Sequence, residues 1–320
     1  MKIFSAILYK LITGGKVEKR ATVDFFEFLI NTSQNRLLYW FSQKFRDIFD
    51  EKTNAFLKEV YLWGKQKKDE LNKTLNLIEN ISKEKKLEYI IAKQDRTFPY
   101  VGSDIDLLVK KEDLNEWLAA FKNADYTAFS HKEFFKEKVR QKTLIRDNYY
   151  KIDLTTQFYW QEKFYFDLEF LWNNYHKKNH RLNKEADFLV NFTTIIFKRM
   201  SFNLLDYWYL KELIRKDLGW KLIEDQVKKY HWFNAYKKTL AFLSTIDPVN
   251  DSFPVMFPSQ LYLTIFWEKL KNREFSINYF SYFVLARLRY FLLNKRHLPF
   301  HVYWYPYKDL KKAIGQEIQI

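Results

Sequence analysis

Glycine and proline number only six each in 320 residues, and cysteine is absent. Gly and Pro are the residues that let a chain turn sharply, each through its own backbone geometry. A chain this poor in them has little room for a turn-rich β-sandwich or an irregular loop protein. Long helices with aromatic cores are the favoured outcome, and aromatic residues make up 20% of the chain. The missing cysteines remove disulfide scaffolds, zinc ribbons, iron–sulfur clusters and thiol catalysis together. At about 150 residues per domain the length suits two domains or so, with enough chain to bury a core unaided by metal or disulfide.

Hydrophobic periodicity divides the chain into three parts. In residues 1–85, Leu37, Leu38, Phe41, Phe45, Ile48 and Phe49 form a one-face helical stripe, with Asn31, Thr32 and Ser33 as N-cap candidates. Two further helices are expected over residues 54–63 and 69–81, separated by a charged joint at Lys65, Lys67 and Lys68. Residues 86–165 change character. Residues 87–92 and 105–109 are apolar runs of strand length, residues 114–123 have a helical pattern, and residues 138–145 and 149–157 read as a hairpin about Asp147-Asn148. Residues 166–320 are helical again, with helices expected near 185–200, 204–213, 221–245, 259–271 and 277–293. Breaks are expected at Asp247-Pro248 and around Pro254 and Pro258. The expected class is therefore α+β: a small mixed sheet between a helical N-terminal region and a helical C-terminal domain.

Charge limits the partners. Fifty-four Lys and Arg against 39 Asp and Glu give a net charge of +15. Such an excess suits a polyanion: nucleic acid, nucleotide phosphates or a lipid headgroup surface. No charge-free run reaches the ~18–20 apolar residues of a membrane span. The apolar opening segment is interrupted by Lys10 and lacks a small-residue cleavage pattern, so the expected location is cytoplasmic.

The chemically informative stretch is Gly102-Ser103-Asp104-Ile105-Asp106-Leu107-Leu108-Val109. Carboxylates at i and i+2 of a strand share one face, which leaves Ile105 and Leu107 to point the other way, into the core. Two unpaired carboxylates side by side are costly to bury and resist joint ionisation. A divalent cation removes both difficulties, and hard carboxylate oxygens are the ligands Mg²⁺ prefers. Asp153, in the strand-like run Lys151-Ile152-Asp153-Leu154, is the candidate third carboxylate. His176 and His180 have helical metal-ligand spacing, but no carboxylate stands nearby, and they read as a surface segment.

Asp104-Ile105-Asp106, followed by Asp153 between Ile152 and Leu154, resembles the motif of the nucleotidyltransferase superfamily that shares the DNA polymerase β catalytic fold. The string from Asp104 to Val109 is similar to an uncharacterised branch of that superfamily, and the resemblance covers roughly residues 80–215. It implies a metal-dependent transfer of a nucleoside monophosphate from an NTP, such as ATP, to an acceptor hydroxyl or phosphate. Asp104, Asp106 and Asp153 would be the catalytic residues and the ligands of Mg²⁺ or Mn²⁺. Where the superfamily usually has Gly-Ser, this chain has Ala92-Lys93. A lysine can hold phosphate as a point charge, so Lys93 and Arg96, with Gly102 and Ser103, are the nucleotide-binding candidates. The acceptor stays open between RNA such as tRNA and a protein. Two other readings also stay open: a nucleotidyltransferase-fold protein that binds without turnover, and a toxin–antitoxin or defence component. Oligomeric state has no signature in the sequence.

Overall fold

The computed structural model describes residues 37–44, 50–93, 100–129, 141–158, 164–248, 250–251 and 253–271. Arg96, the N-cap candidates at 31–33 and the helix expected at 277–293 lie outside these residues. The described chain is α+β, as expected, and its main sheet, with seven strands, is larger than the small one expected.

Among the described residues two helices come first, α1 (Leu38–Lys44) and α2 (Glu51–Lys85). Then follow β1 (Tyr89–Ala92), β2 (Ile105–Val109), α3 (Leu114–Asn123), β3 (Thr127–Phe129), β4 (Gln141–Ile145) and β5 (Ile152–Thr155). After these come α4 (Leu168–Asn173), β6 (Tyr175–His176), β7 (Arg181–Leu182), α5 (Lys184–Thr194) and a π-helical turn at Ile195–Arg199. The described remainder is β8 (Ser201–Phe202), α6 (Leu204–Arg215), α7 (Trp220–Lys229), α8 (Phe233–Thr245), β9 (Val255–Met256) and α9 (Ser259–Lys271).

Seven strands form one sheet in the order β3-β4-β5-β2-β1-β7-β6. The hairpin expected about Asp147-Asn148 is present as the antiparallel pair β4 and β5. Asn148 takes a positive φ of 60° there, a conformation that Asn tolerates better than most residues. His176 to His180, read as a surface segment, are a short strand followed by a turn with His176 to Asn179 exposed, and β6 with β7 extends the sheet beyond β1.

Strand alternation sorts the sheet into two faces. Tyr89, Ile91, Ile105, Leu107, Val109, Ile152 and Leu154 pack with Ile78 and Ile81 of α2 and with Trp117 and Phe121 of α3. Ile90, Ala92 and Leu108 join the other core, which includes Leu57 and Val60 of α2 and Phe188, Phe192, Leu205 and Leu210 of α5 and α6. Helices therefore cover both faces, and the second face is the one toward which Asp106 and Asp153 alternate.

The N-terminal region departs from expectation at the lysine joint. Instead of two helices there is one, α2, with 35 residues. At 1.5 Å per residue it is about 52 Å long. Lys, Gln and Glu are good helix formers, so a charged run between apolar turns does not end a helix. Lys67 pairs with the buried Glu70 at 2.7 Å, one turn on. The ends do carry stop signals. Asp50 accepts from the Thr53 amide at 2.9 Å at the N-cap, and Lys86 is left-handed at the C-cap, where the Leu87 amide donates to the Ser82 carbonyl at 3.0 Å.

The opposite misreading occurs at residues 221–245, where one expected helix is two, α7 and α8. His231 takes a φ of 57°, and the Trp232 indole donates to the Tyr165 carbonyl at 2.9 Å. That tertiary hydrogen bond fixes the corner between the helices.

Gly64, midway along α2, lies against the ring of the buried Tyr39 from α1; a Cβ there would meet Tyr39 Cδ2 at 2.0 Å. In an exposed helix Gly→Ala stabilises by about 0.5–1 kcal/mol. Here Gly64→Ala should instead destabilise the protein by about 1–3 kcal/mol, the cost of overpacking a filled core. Urea unfolding of the two proteins checks the sign.

Candidate functional site

The site is built where β2 and β5 run side by side. They pair in parallel, with Asp106 directly opposite Asp153. Neighbouring strands lie about 4.7–4.9 Å apart, so these two in-register carboxylates stand side by side. Asp104, two residues before Asp106, continues the same face past the end of β2. The structure thus brings together the three carboxylates singled out in the sequence.

Two lysines join them. Lys151 stands two residues before Asp153, and its backbone carbonyl accepts from the Ile105 amide at 2.9 Å. From there Lys151 Nζ reaches Asp104 Oδ2 at 3.0 Å. Lys93 follows β1 at once, and Ala92 is in register with Asp106. A φ of 61° at Lys93 breaks the strand's alternation. Its ammonium contacts Asp106 Oδ2 at 3.1 Å and sits 5.0 Å from the centroid of the Phe158 ring. A left-handed non-glycine residue costs about 1–2 kcal/mol. The charge contacts with Asp106 and Phe158 offset that strain.

Hydroxyl groups complete the inner circle. Ser103 Oγ donates to Asp104 Oδ2 at 2.9 Å, and Thr143 Oγ1, opposite Asp153 on β4, donates to Asp153 Oδ1 at 2.8 Å. The segment before Asp104 is tethered from behind. The Tyr150 hydroxyl donates to the Gly102 carbonyl, while the Tyr150 amide donates to Thr74 Oγ1 of α2 at 2.8 Å. Gly102 therefore presents a backbone held in place by Tyr150.

Lys151 and Thr143 were absent from the sequence-derived candidates. The signal for Lys151 was its i−2 spacing from Asp153, which puts both on one face. Thr143 becomes visible only once the hairpin register is known.

The electrostatics are uneven across the cluster. Burial would raise the Asp104 carboxyl, but Lys151, with Ser103 and Lys93 in support, holds it below its usual range. Asp153 moves the other way. Burial first, then the charge of Asp104 and to a smaller extent Asp106, push it up to about 6, against the opposing pull of Lys151 and Thr143. Two ammoniums facing three carboxylates leave an uncompensated negative charge, which adds to the larger effect of burial at Asp153.

In chemical type the donors fit a hard divalent cation: three carboxylates on one face with a surplus of negative charge. They are not preassembled for it. Among the described residues, no group of three or more His, Cys, Asp or Glu side chains is disposed to hold a metal ion as it stands. Asp104 and Asp106 are turned onto Lys151 and Lys93 instead, and Asp153 onto the Thr143 hydroxyl. Elsewhere among the described residues, no helix is long and apolar enough to cross a membrane.

Because its carboxyl is raised from 3.8 to about 6, ionised Asp153 weakens the fold above about pH 6, and protonation restores that stability as pH falls toward 4. Asp153→Asn removes the charge but keeps an oxygen for Thr143. Without added divalent cations it should raise the melting temperature at pH 8, by about 2–4 °C per kcal/mol relieved. The advantage should be the same at pH 8 and pH 7 and shrink only from about pH 6 downward. Melting curves at pH 8, 7, 6 and 5 for both proteins check this.

No protein-family model matches the chain, and no curated protein does. Among solved structures, that of the antibiotic-resistance factor ANT(2'')-Ia is similar over 54% of this chain and 96% of that one, at 12% identity and a TM-score of 0.33. An overlap this loose carries no weight for the reaction.

Proposed function

We propose that the protein is a nucleotidyltransferase, moving a nucleoside monophosphate from an NTP to an acceptor hydroxyl or phosphate. The acceptor oxygen forms a bond to the α-phosphorus, the bond to the β-phosphate oxygen breaks, pyrophosphate leaves, and the acceptor gives up its proton. One observation carries the reading: Asp106 and Asp153 stand in register on adjacent parallel strands, with Asp104 on the same face.

Asp104, Asp106 and Asp153 are the residues that would hold Mg²⁺ or Mn²⁺. Bound there, such an ion would neutralise phosphate charge and stabilise the attacking and leaving oxygens. The protein's own part is positioning and charge, since phosphoryl transfer leaves it little covalent work. Lys93 and Lys151 supply positive charge beside the carboxylates, where a triphosphate would lie. Ser103, fixed on Asp104, and the tethered Gly102 backbone bound the same space. Arg96 remains a candidate phosphate contact from the sequence. The net charge of +15 supports a polyanionic acceptor, for which RNA is the proposed class.

A second reading is favoured by the lysines themselves. A protein that binds nucleotide without turnover could keep Asp104 and Asp106 permanently paired with Lys151 and Lys93. Pyrophosphate release from each of the four NTPs, with Mg²⁺ or Mn²⁺ and total RNA as acceptor, separates the two. Under the transferase reading, Asp104→Asn, Asp106→Asn and Asp153→Asn each lower turnover by about 10²–10³-fold, the effect of removing one preorganised electrostatic group. Their folds should persist, because Asn keeps the shape of Asp. Nucleotide binding with no pyrophosphate release under any combination leaves the binding-only reading.

A further inference from the structure

We infer that Lys93 and Lys151 act as built-in counter-cations: they bar a divalent ion from the three carboxylates until a polyphosphate draws them away. This deepens, and rests on, the nucleotidyltransferase reading of the same site.

The oxygens at issue are specific. Asp106 Oδ2 is held by Lys93 and Asp104 Oδ2 by Lys151. The influence of each lysine extends further, since Lys93 also stabilises the charge on Asp104 and Lys151 that on Asp153. All three carboxylates therefore lie under the field of two ammoniums. A divalent ion arriving alone must desolvate, compete for oxygens already hydrogen-bonded, and sit beside positive charge. Like charges held close together in a partly buried site repel.

The same lysines are suited to leave. Each ammonium rides on a flexible four-carbon stem, and the side chains keep 18% and 33% of their exposure. Lys93 has the Phe158 ring beside it, an apolar support for its stem as well as a cation partner. A polyphosphate entering beside them offers anionic oxygens, which ammonium groups hold well. Once the lysines turn to phosphate, the carboxylates are exposed with all their mutual repulsion, and a divalent ion becomes the group that relieves it. Ion and polyphosphate thus promote each other's binding, and such coupling is reciprocal. This also explains why a site with suitable donors is not assembled for an ion in the free protein. An enzyme so arranged does not hold a hydrolytically active ion without substrate.

The test is Mn²⁺ affinity, read by equilibrium dialysis as the excess Mn²⁺ on the protein side at equal free Mn²⁺, with and without inorganic tripolyphosphate in both compartments so that the anion's own complexation of Mn²⁺ cancels. The proteins are wild type, Lys93→Met, Lys151→Met and the charge-keeping Lys93→Arg and Lys151→Arg. Wild type should bind Mn²⁺ weakly alone and about tenfold or more tightly with tripolyphosphate, a usual size for coupling between ligands. Each Met variant should bind Mn²⁺ alone at least as tightly as wild type does with tripolyphosphate, and should respond to the anion less than twofold. The Arg variants should behave as wild type. Met variants that bind Mn²⁺ no better than wild type would overturn the inference. So would a wild-type protein indifferent to tripolyphosphate, and that arm needs no variant to fold. Pyrophosphate release keeps the two ideas apart: ion–anion coupling without release removes the enzyme reading only, and release without coupling removes the exchange only.

Discussion

Three carboxylates on one face of a sheet repel one another, and much of the surrounding structure answers that repulsion. Asp106 and Asp153 are forced together by the backbone, because parallel strands in register put equivalent side chains side by side. Two lysines and two hydroxyls are arrayed against them. The compensation is incomplete at Asp153, whose carboxyl is pushed up to about 6 by burial first and by the charge of Asp104 second. A fold selected only for stability would have little reason to keep such a cluster, because replacing buried charges with apolar side chains is often neutral or stabilising.

The scaffold explains how the charges stay close. On the far side of the sheet, Ile105, Leu107, Ile152 and Leu154 are locked into a core with Trp117, Phe121 and α2. A register slip of one residue would turn all of these apolar groups toward the carboxylate side. The core behind thus fixes the register in front. The long helix α2 contributes a second restraint through Thr74, which binds the backbone of Tyr150, while Tyr150 in turn binds the Gly102 carbonyl. A contact some distance from the carboxylates thereby sets where the chain enters Asp104. On the carboxylate side, the neighbouring apolar positions Ile90, Ala92 and Leu108 belong to one core with α5 and α6. The carboxylates end up at the margin of a core rather than on a bare surface.

The motif around Asp104 and Asp106 was legible because its information is local. Alternation by two residues follows from strand geometry whatever the partner strands are, so the common face of the two carboxylates and the inward Ile105 and Leu107 could be read directly. Asp153 was legible for the same reason, as a polar position inside an apolar run. The helix at residues 114–123 and the hairpin about Asp147-Asn148 were likewise written in their own residues. The continuous α2 was misread because a lysine-rich stretch looks like a joint when only apolar periodicity is followed. The break at His231 was missed because its cause, the Trp232 indole on the Tyr165 carbonyl, spans 67 residues.

What the sequence by itself determined was the identity of the acidic residues, the face they share along each strand, and a chain composition that favours helices around a sheet. Only the tertiary structure decided that β2 and β5 are parallel neighbours with Asp106 opposite Asp153, and that the positive φ at Lys93 delivers its ammonium to Asp106. It also decided that Lys151 belongs to Asp104, a residue 47 positions away, just before β2. The physical reason is one of range. Side-chain periodicity is set by covalent geometry within a few residues, whereas register and charge pairing are set by whichever cores close on either face of the sheet.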